Sequence, residues 1–262
     1  MSHATNIATR KIDVFGLPIT DARLDDAAQA IVASAQETTP LNVGFINAHC
    51  FNELCKNETY GASLEGFDLL YADGAGMRIA ANAVDARLAD NVNGTDLFPV
   101  ICEKAAKAGV PMFLLGARDG LGEEVAARMS ARYPGLEIAG THHGYFKPGR
   151  EERDVIDAIN RSGAEILFVA FGVPLQEIWI ERNRHRLKPS VVIGVGGLFD
   201  YYSGRIPRAP LALRRTGLEW LWRLAMEPGR LWRRYLIGNA EFLGRDAMLK
   251  LFCGVAFVNS PA

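Results

Sequence analysis

The sequence predicts an α/β protein: a Rossmann-like parallel-sheet sandwich with a C-terminal helical appendage. Three observations lead there. Short aliphatic runs alternate with longer stretches of helical period. Most of those runs are apolar at every position, as strands are when helices cover both faces of a parallel sheet. The alternation stops after Gly204, where "RIPRAP" cannot continue a helix and a different composition begins.

In chain order, strands are expected at "IDVF" (12–15), "NVGFI" (42–46), "DLLYA" (68–72), "PMFLLG" (111–116), "LEIAG" (136–140), "EILFVAFG" (165–172) and "VVIGVG" (191–196). Between them, "DARLDDAAQAIVASAQ" puts Leu24, Ala27, Ala28, Ile31 and Val32 on one helical face behind an Asp start. "TDLFPVICEKAAKAG" reads as a helix capped by Thr95 and stopped at Gly109. "EEVAARMSARYPG" and "DVIDAINRSG" have the same form. Residues 1–204 are therefore expected to form the core. Residues 205–262 are expected to form the appendage, helical to about Leu251 and broken at Pro228 and Gly229.

The chain has 262 residues, 49% of them hydrophobic, which is a globular composition. A net charge of −1 gives no general case for nucleic acid as a partner, but the charge is unevenly spread. From Arg205 to Asn239, eight arginines stand against Glu219 and Glu227, so this span carries +6 and the remainder −7. Three of the four tryptophans (Trp220, Trp222, Trp232) lie in the same span. Such asymmetry points to contact with an anionic surface or ligand; the plainer alternative is a packed terminal helix with solvated arginines.

The start of the chain shows no apolar signal segment. No run reaches the roughly 18 apolar residues a membrane span needs, the tail "LFCGVAFV" included. Cys50, Cys55, Cys102 and Cys253 form no CxxC or zinc spacing, and His49, His142 and His143 show no metal-ligand spacing. Neither a metal nor another cofactor is expected. A serine hydrolase is not expected either, because no GxSxG is present.

Ligands of open α/β sheets bind beyond the carboxyl ends of the strands, and polar turns fall there. "FINAHC" leaves Asn47 and His49 after one strand, and "YADGAG" leaves Asp73 between tight glycines after the next. Asp73 is the candidate general base, able to take a proton from a hydroxyl; a helix cap or Asx-turn is the alternative. Gly116, Gly120 and Gly122 open a helix in a setting that suits phosphate, or simply make the turn. Gln176 and Glu177 begin a helix behind Pro174. There Gln176 has the groups to bond a sugar or base, and Glu177 favours the helix dipole.

"DGAG", "NGTD", "FLLG", "GYF", "GVPLQEIW", "GVGGLFDYYSG", "RAP" and "GLEWLWRL…EPGRLWRRY" follow one another in an order that resembles the WecG/TagA/CpsF glycosyltransferases, over about residues 12–236. The resemblance implies a metal-independent, inverting enzyme that moves a sugar from a UDP-sugar to a sugar on polyprenyl diphosphate. It implies work at the cytoplasmic face of the bacterial inner membrane, peripherally bound, with self-association. It implies Asp73 as base, with Asn47 and Gln176 lining its pocket beside Gly74 of the same turn. Gly94, Thr95 and Asp96 shape that pocket, while Gly116, Gly196 and Gly197 meet the nucleotide or its diphosphate. Arg208 lies in the matching "RAP" motif, and Arg223, Arg230 and Arg233 match arginines of the appendage. Two departures remove positive charge: Asn91 and Leu175 stand where many members have Arg and Lys. The resemblance leans towards members that make xanthan-like polymers with UDP-glucose in a β-1,4 bond. UDP-N-acetylmannosamine, its uronic acid, and an inactive nucleotide-binding scaffold are the alternatives.

Overall fold

A computed structural model describes residues 10–245. Residues 1–9 and 246–262, with Cys253 and the tail "LFCGVAFV", lie outside the described residues. The described chain begins with a hairpin, β1 (Arg10–Val14) and β2 (Leu17–Asp21). Strands and helices then alternate: α1 (Leu24–Gln36), β3 (Leu41–Ile46), α2 (Ala48–Leu54), α3 (Glu58–Leu64), β4 (Leu69–Ala72), α4 (Ala75–Ala83), α5 (Gly94–Ala108) and β5 (Met112–Gly116). After these come α6 (Leu121–Arg132), β6 (Ile138–His142), α7 (Arg150–Arg161), β7 (Ile166–Ala170), α8 (Leu175–Asn183), β8 (Val191–Gly194) and α9 (Leu198–Tyr202).

The strands form one sheet in the order β1-β2-β4-β3-β8-β7-β5-β6, parallel throughout except for the β1–β2 hairpin. The Rossmann-like α/β expectation is met. Successive side chains of the buried strands feed opposite cores. Met112 and Leu114 of β5 and Ile166 and Phe168 of β7 pack under α1, α5, α6 and α9. Phe113, Leu115, Leu167 and Val169 pack under α2, α3, α4, α7 and α8. Burial on both faces is why these strands read as unbroken apolar runs.

Three local expectations are corrected. β2 has no counterpart in the sequence reading, because Pro18 interrupts its pattern. Pro is tolerated there because pairing with β4 begins only at Thr20. α5 is capped by Asn93, not Thr95: Asn93 Oδ1 accepts the Asp96 N–H at 2.8 Å, and the Thr95 carbonyl accepts the Tyr202 hydroxyl at 2.6 Å. α1 has no side-chain cap of its own; Asp90, distant in sequence, accepts the Leu24 N–H at 3.2 Å, while Asp21 accepts the Ala89 N–H at 2.7 Å.

Beyond α9 the chain has no regular structure at 207–210. It then forms α10 (Leu211–Arg215), α11 (Glu219–Met226) and α12 (Pro228–Trp232). A π-helical turn (Arg233–Ile237) follows, and the helix goes on through 238–245. This last stretch folds back on the core. Phe242 is 1% exposed and meets Phe51 of α2 edge-on at 5.6 Å. Asn52 Nδ2 donates to the Gly238 carbonyl at 2.7 Å, and Lys56 pairs with Glu241 at 2.8 Å. Burying a Phe contributes roughly 1.5–3 kcal/mol, whereas the exposed ion pair adds little.

Candidate active site

β3 and β4 lie side by side and end level, Ile46 opposite Ala72. The next residues, Asn47 and Asp73, therefore leave the sheet together, and the Asp73 N–H donates to the Ile46 carbonyl at 2.8 Å. Asn47 caps α2: its Oδ1 accepts the N–H groups of His49 and Cys50 at 3.0 and 3.2 Å. With its oxygen committed, its NH2 faces Asp73 and donates to Oδ2 at 3.2 Å. Gly74, at φ +92, takes the N-cap position of α4, and its own N–H goes to Asn91 Oδ1 at 2.7 Å. The Asp73 carboxylate is thus not used as a helix cap.

Burial pushes the Asp73 pKa up; the Asn47 hydrogen bond and the charges of Arg234 and Arg223 pull it back. Burial thus makes this carboxylate more basic than a solvated one, the direction a proton-accepting role needs. His49, beside it, is held down at about 4 by burial and by Arg234, so it is a neutral hydrogen-bonding group in the same cleft.

The cleft is a cavity of about 840 Å³ between the strand ends and the appendage. Asn47, Asp73, Gly74, Thr95, Asp96 and Arg223 all line it. Gly94 lies beneath, where a Cβ would come 3.2 Å from the Phe45 ring. Arg208 stands behind the lining, tied to Asp96 at 2.7 Å and Glu219 at 3.4 Å. Arg230 is exposed and tied to Glu227 at 2.6 Å, and Arg233 is exposed over the Trp232 ring. Gln176 is buried behind the cleft wall; its Oε1 accepts the Gly196 N–H at 2.8 Å. A Cβ on Gly197 would fall 2.4 Å from Arg223 Nη2, so glycine there gives the guanidinium its place. Gly116, at φ +129, sits against the Ala170 backbone, where a Cβ would approach to 2.7 Å. It flanks a second cavity of about 320 Å³, walled by Phe146, Phe171 and Trp179.

The structure adds Arg234 to the cleft, a residue that sequence reasoning passed over for Arg233. Arg234 forms no salt bridge among the described residues, and its buried Nε has no partner. The π turn is the reason: it carries more residues per turn than an α-helix, so periodicity misplaces the side chains of "RRY". Arg214, 3.7 Å from Asp96, Glu219 and Tyr201 also line the cleft, brought there by tertiary packing with no local signal. Among the described residues, no three His, Cys, Asp or Glu side chains converge as metal ligands would. The positive charge in the cleft comes from arginine.

The site thus holds a carboxylate at the carboxyl end of a parallel sheet, faced by Arg234 and Arg223. The model of the Glycosyl transferase WecG/TagA/CpsF family matches residues 12–253. The chain belongs to that family and is a glycosyltransferase. It is 37% identical over 184 residues, 70% of either chain, to the N-acetylglucosaminyldiphosphoundecaprenol N-acetyl-beta-D-mannosaminyltransferase of Bacillus spizizenii strain W23. It is 34% identical over 181 residues, 69% of either chain, to the protein of the same name from Bacillus subtilis strain 168.

Proposed function

We propose that this enzyme transfers N-acetylmannosamine from its UDP ester to N-acetylglucosamine carried on undecaprenyl diphosphate. The observation that carries the reading is Asp73, aimed into the cleft by Asn47 and faced by Arg223 and Arg234. In this reading Asp73 takes the proton of an acceptor hydroxyl as its oxygen attacks the anomeric carbon. The bond from that carbon to the β-phosphate oxygen breaks with inversion, and UDP leaves with the electron pair. Arg223 and Arg234 meet the charge that develops there, since a guanidinium stays protonated and matches phosphate geometry.

The names of the two Bacillus relatives favour this donor over the UDP-glucose that the motifs first indicated. Asn91 agrees with a donor that has no carboxylate: it stands where many members place Arg, and its Oδ1 is taken by Gly74. An inactive scaffold would have no use for Asp73 held out of its local helix cap.

The same reading places the enzyme peripherally on the cytoplasmic leaflet, through the appendage of residues 205–262. Leu221, Met226, Trp232, Leu236 and Ile237 are exposed on it, among arginines. Apolar and aromatic side chains at headgroup depth with basic neighbours suit an anionic surface. No helix of the described residues is long and apolar enough to cross a membrane.

The test is transfer to a synthetic polyprenyl-diphosphate N-acetylglucosamine with a panel of UDP-sugars, with and without EDTA. Turnover with UDP-N-acetylmannosamine is expected. Turnover with UDP-glucose alone would overturn the donor assignment, and tight UDP binding without turnover would restore the scaffold.

A further inference from the structure

The turns after β7 and β8 are tied together by one buried amide. Gln176, 3% exposed, lines neither cavity. Its Oε1 accepts two backbone N–H groups, Gly172 at 3.2 Å and Gly196 at 2.8 Å. Its Nε2 donates to Glu177 Oε1 at 2.8 Å. Two donors require the oxygen on one side, and a carboxylate requires the NH2 on the other, so the amide has one orientation. Space is equally fixed: a Cβ on Gly194 would lie 3.0 Å from Nε2.

Glu177 is 1% exposed, and its Oε2 has no partner among the described residues. The titratable side chains that face it, Cys50 from α2 and Tyr60 from α3, are held protonated by burial, the thiol pushed up to about 12. A helix-dipole role does not need such burial, since that effect operates at exposed first turns. The amide it anchors leads to the cleft. Gln176 fixes Gly196, Gly197 follows, and Gly197 is the surface on which Arg223 rests.

We propose that Gln176 and Glu177 form a buried latch that fixes the turns after β7 and β8 and so holds Arg223 in place for transfer. Both are then positioning residues, acting through Gly196, Gly197 and Arg223 without touching sugar. The latch rests on the assignment of Arg223 to the reaction given above.

The test uses the full chain and the variants Gln176→Met, Glu177→Met, Glu177→Gln, Arg223→Met and the double variant Gln176→Met/Arg223→Met. Amide hydrogen exchange is followed over residues 170–176 and 191–200, and kcat and KM are measured with the best donor. Gln176→Met is expected to speed exchange at Gly172 and Gly196. It should lower kcat on the order of tenfold, as breaking one coupled network does. Glu177→Met should do the same, and Glu177→Gln, whose amide oxygen still accepts from Nε2, should restore both. In the double variant the loss should equal that of Arg223→Met alone. Multiplying losses would show that Gln176 acts on substrate independently of Arg223, and unchanged exchange at Gly196 would show that it latches nothing; either result overturns the proposal. If the wild-type chain transfers no sugar, the functional reading fails, and exchange at Gly196 still decides the latch.

Discussion

The Asn47 amide bridges two jobs: Oδ1 closes the first turn of α2, and Nδ2 reaches the Asp73 carboxylate at 3.2 Å. The cap therefore orients the group that orients the carboxylate proposed as base. A short helix thus helps to set the position of a carboxylate at the end of the neighbouring strand.

Asp73→Asn should fold normally and lose transfer activity. The asparagine keeps the size and a carbonyl oxygen for Asn47 to donate to, but it cannot take a proton. General-base contributions are typically about 10²–10⁴-fold, and kcat should fall within that range while donor KM stays near wild type. Asn47→Ala should lose less activity, but should also lose stability, about 1 kcal/mol for the missing cap. Single-turnover kinetics and thermal melts check both; a fully active Asp73→Asn would remove the base.

The activity of the wild-type enzyme should fall on acidification, with an apparent pKa above that of a solvated carboxylate. Burial raises the Asp73 pKa, and Arg234 and Arg223 act against that rise. Replacing Arg234 with Met removes a cation that favours ionised Asp73. The acid limb of the kcat profile should then move to higher pH, alongside any loss of rate. A limb that stays in place would mean that Arg234 does not face the base.

How much of this was legible in the sequence follows from which forces are local. The strands that carry Asn47 and Asp73 were readable because burial on both faces demands unbroken apolar runs, and the polar residues ending them stood out. The break between α11 and α12 was readable from Pro228. Arg234 was hidden because its direction depends on a π turn, which no propensity encodes. The burial of Gln176 was hidden because its partners, Gly172 and Gly196, come from turns after two different strands. Asn93 was a legible cap, passed over for Thr95, although Asn is at least as good at that position.

Gly197→Ala should leave the fold intact and displace Arg223. The added Cβ would meet a guanidinium Nη2 at 2.4 Å, the flexible end of a side chain, so the arginine gives way and the backbone does not. Weaker binding of UDP, measured by calorimetry, is the expected outcome, on the order of 1.5–3 kcal/mol for a lost charge-assisted hydrogen bond. Gly116→Ala should instead destabilise the protein, because its Cβ meets the Ala170 backbone and its φ of +129 excludes other residues. Unchanged UDP binding by Gly197→Ala would place the diphosphate elsewhere.

Glu177→Gln should stabilise the protein at alkaline pH. Burial raises the Glu177 pKa from 4.5 to about 7, against the opposing hydrogen bond from Gln176. The native state therefore holds the proton more tightly than the unfolded chain. The stability this gives is full below pH 4.5 and is lost as pH rises through 7. Its size is on the order of 3 kcal/mol. Glutamine carries no charge to bury and still accepts from Gln176. Denaturant melts at pH 5 and pH 8 should show the variant gaining on wild type only at the higher pH. Equal slopes of stability against pH would mean that Glu177 titrates like a solvated carboxylate.

Leu221→Glu with Ile237→Glu should weaken attachment to anionic vesicles without touching the chemistry, because both side chains are exposed and neither lines the cleft. Each large apolar side chain inserted at the interface contributes roughly 1.5–3 kcal/mol, and each basic residue near an anionic leaflet adds about 1 kcal/mol. Replacing two apolar groups with carboxylates should therefore cut binding to phosphatidylglycerol vesicles by at least about a hundredfold. Wild-type attachment should weaken with salt, as screening of the arginines requires. Turnover of a short-chain, water-soluble acceptor should be preserved in the double variant, and turnover of a long-chain acceptor in vesicles should fall. Vesicle binding unaffected by the two carboxylates would move the contact surface away from this face of the appendage.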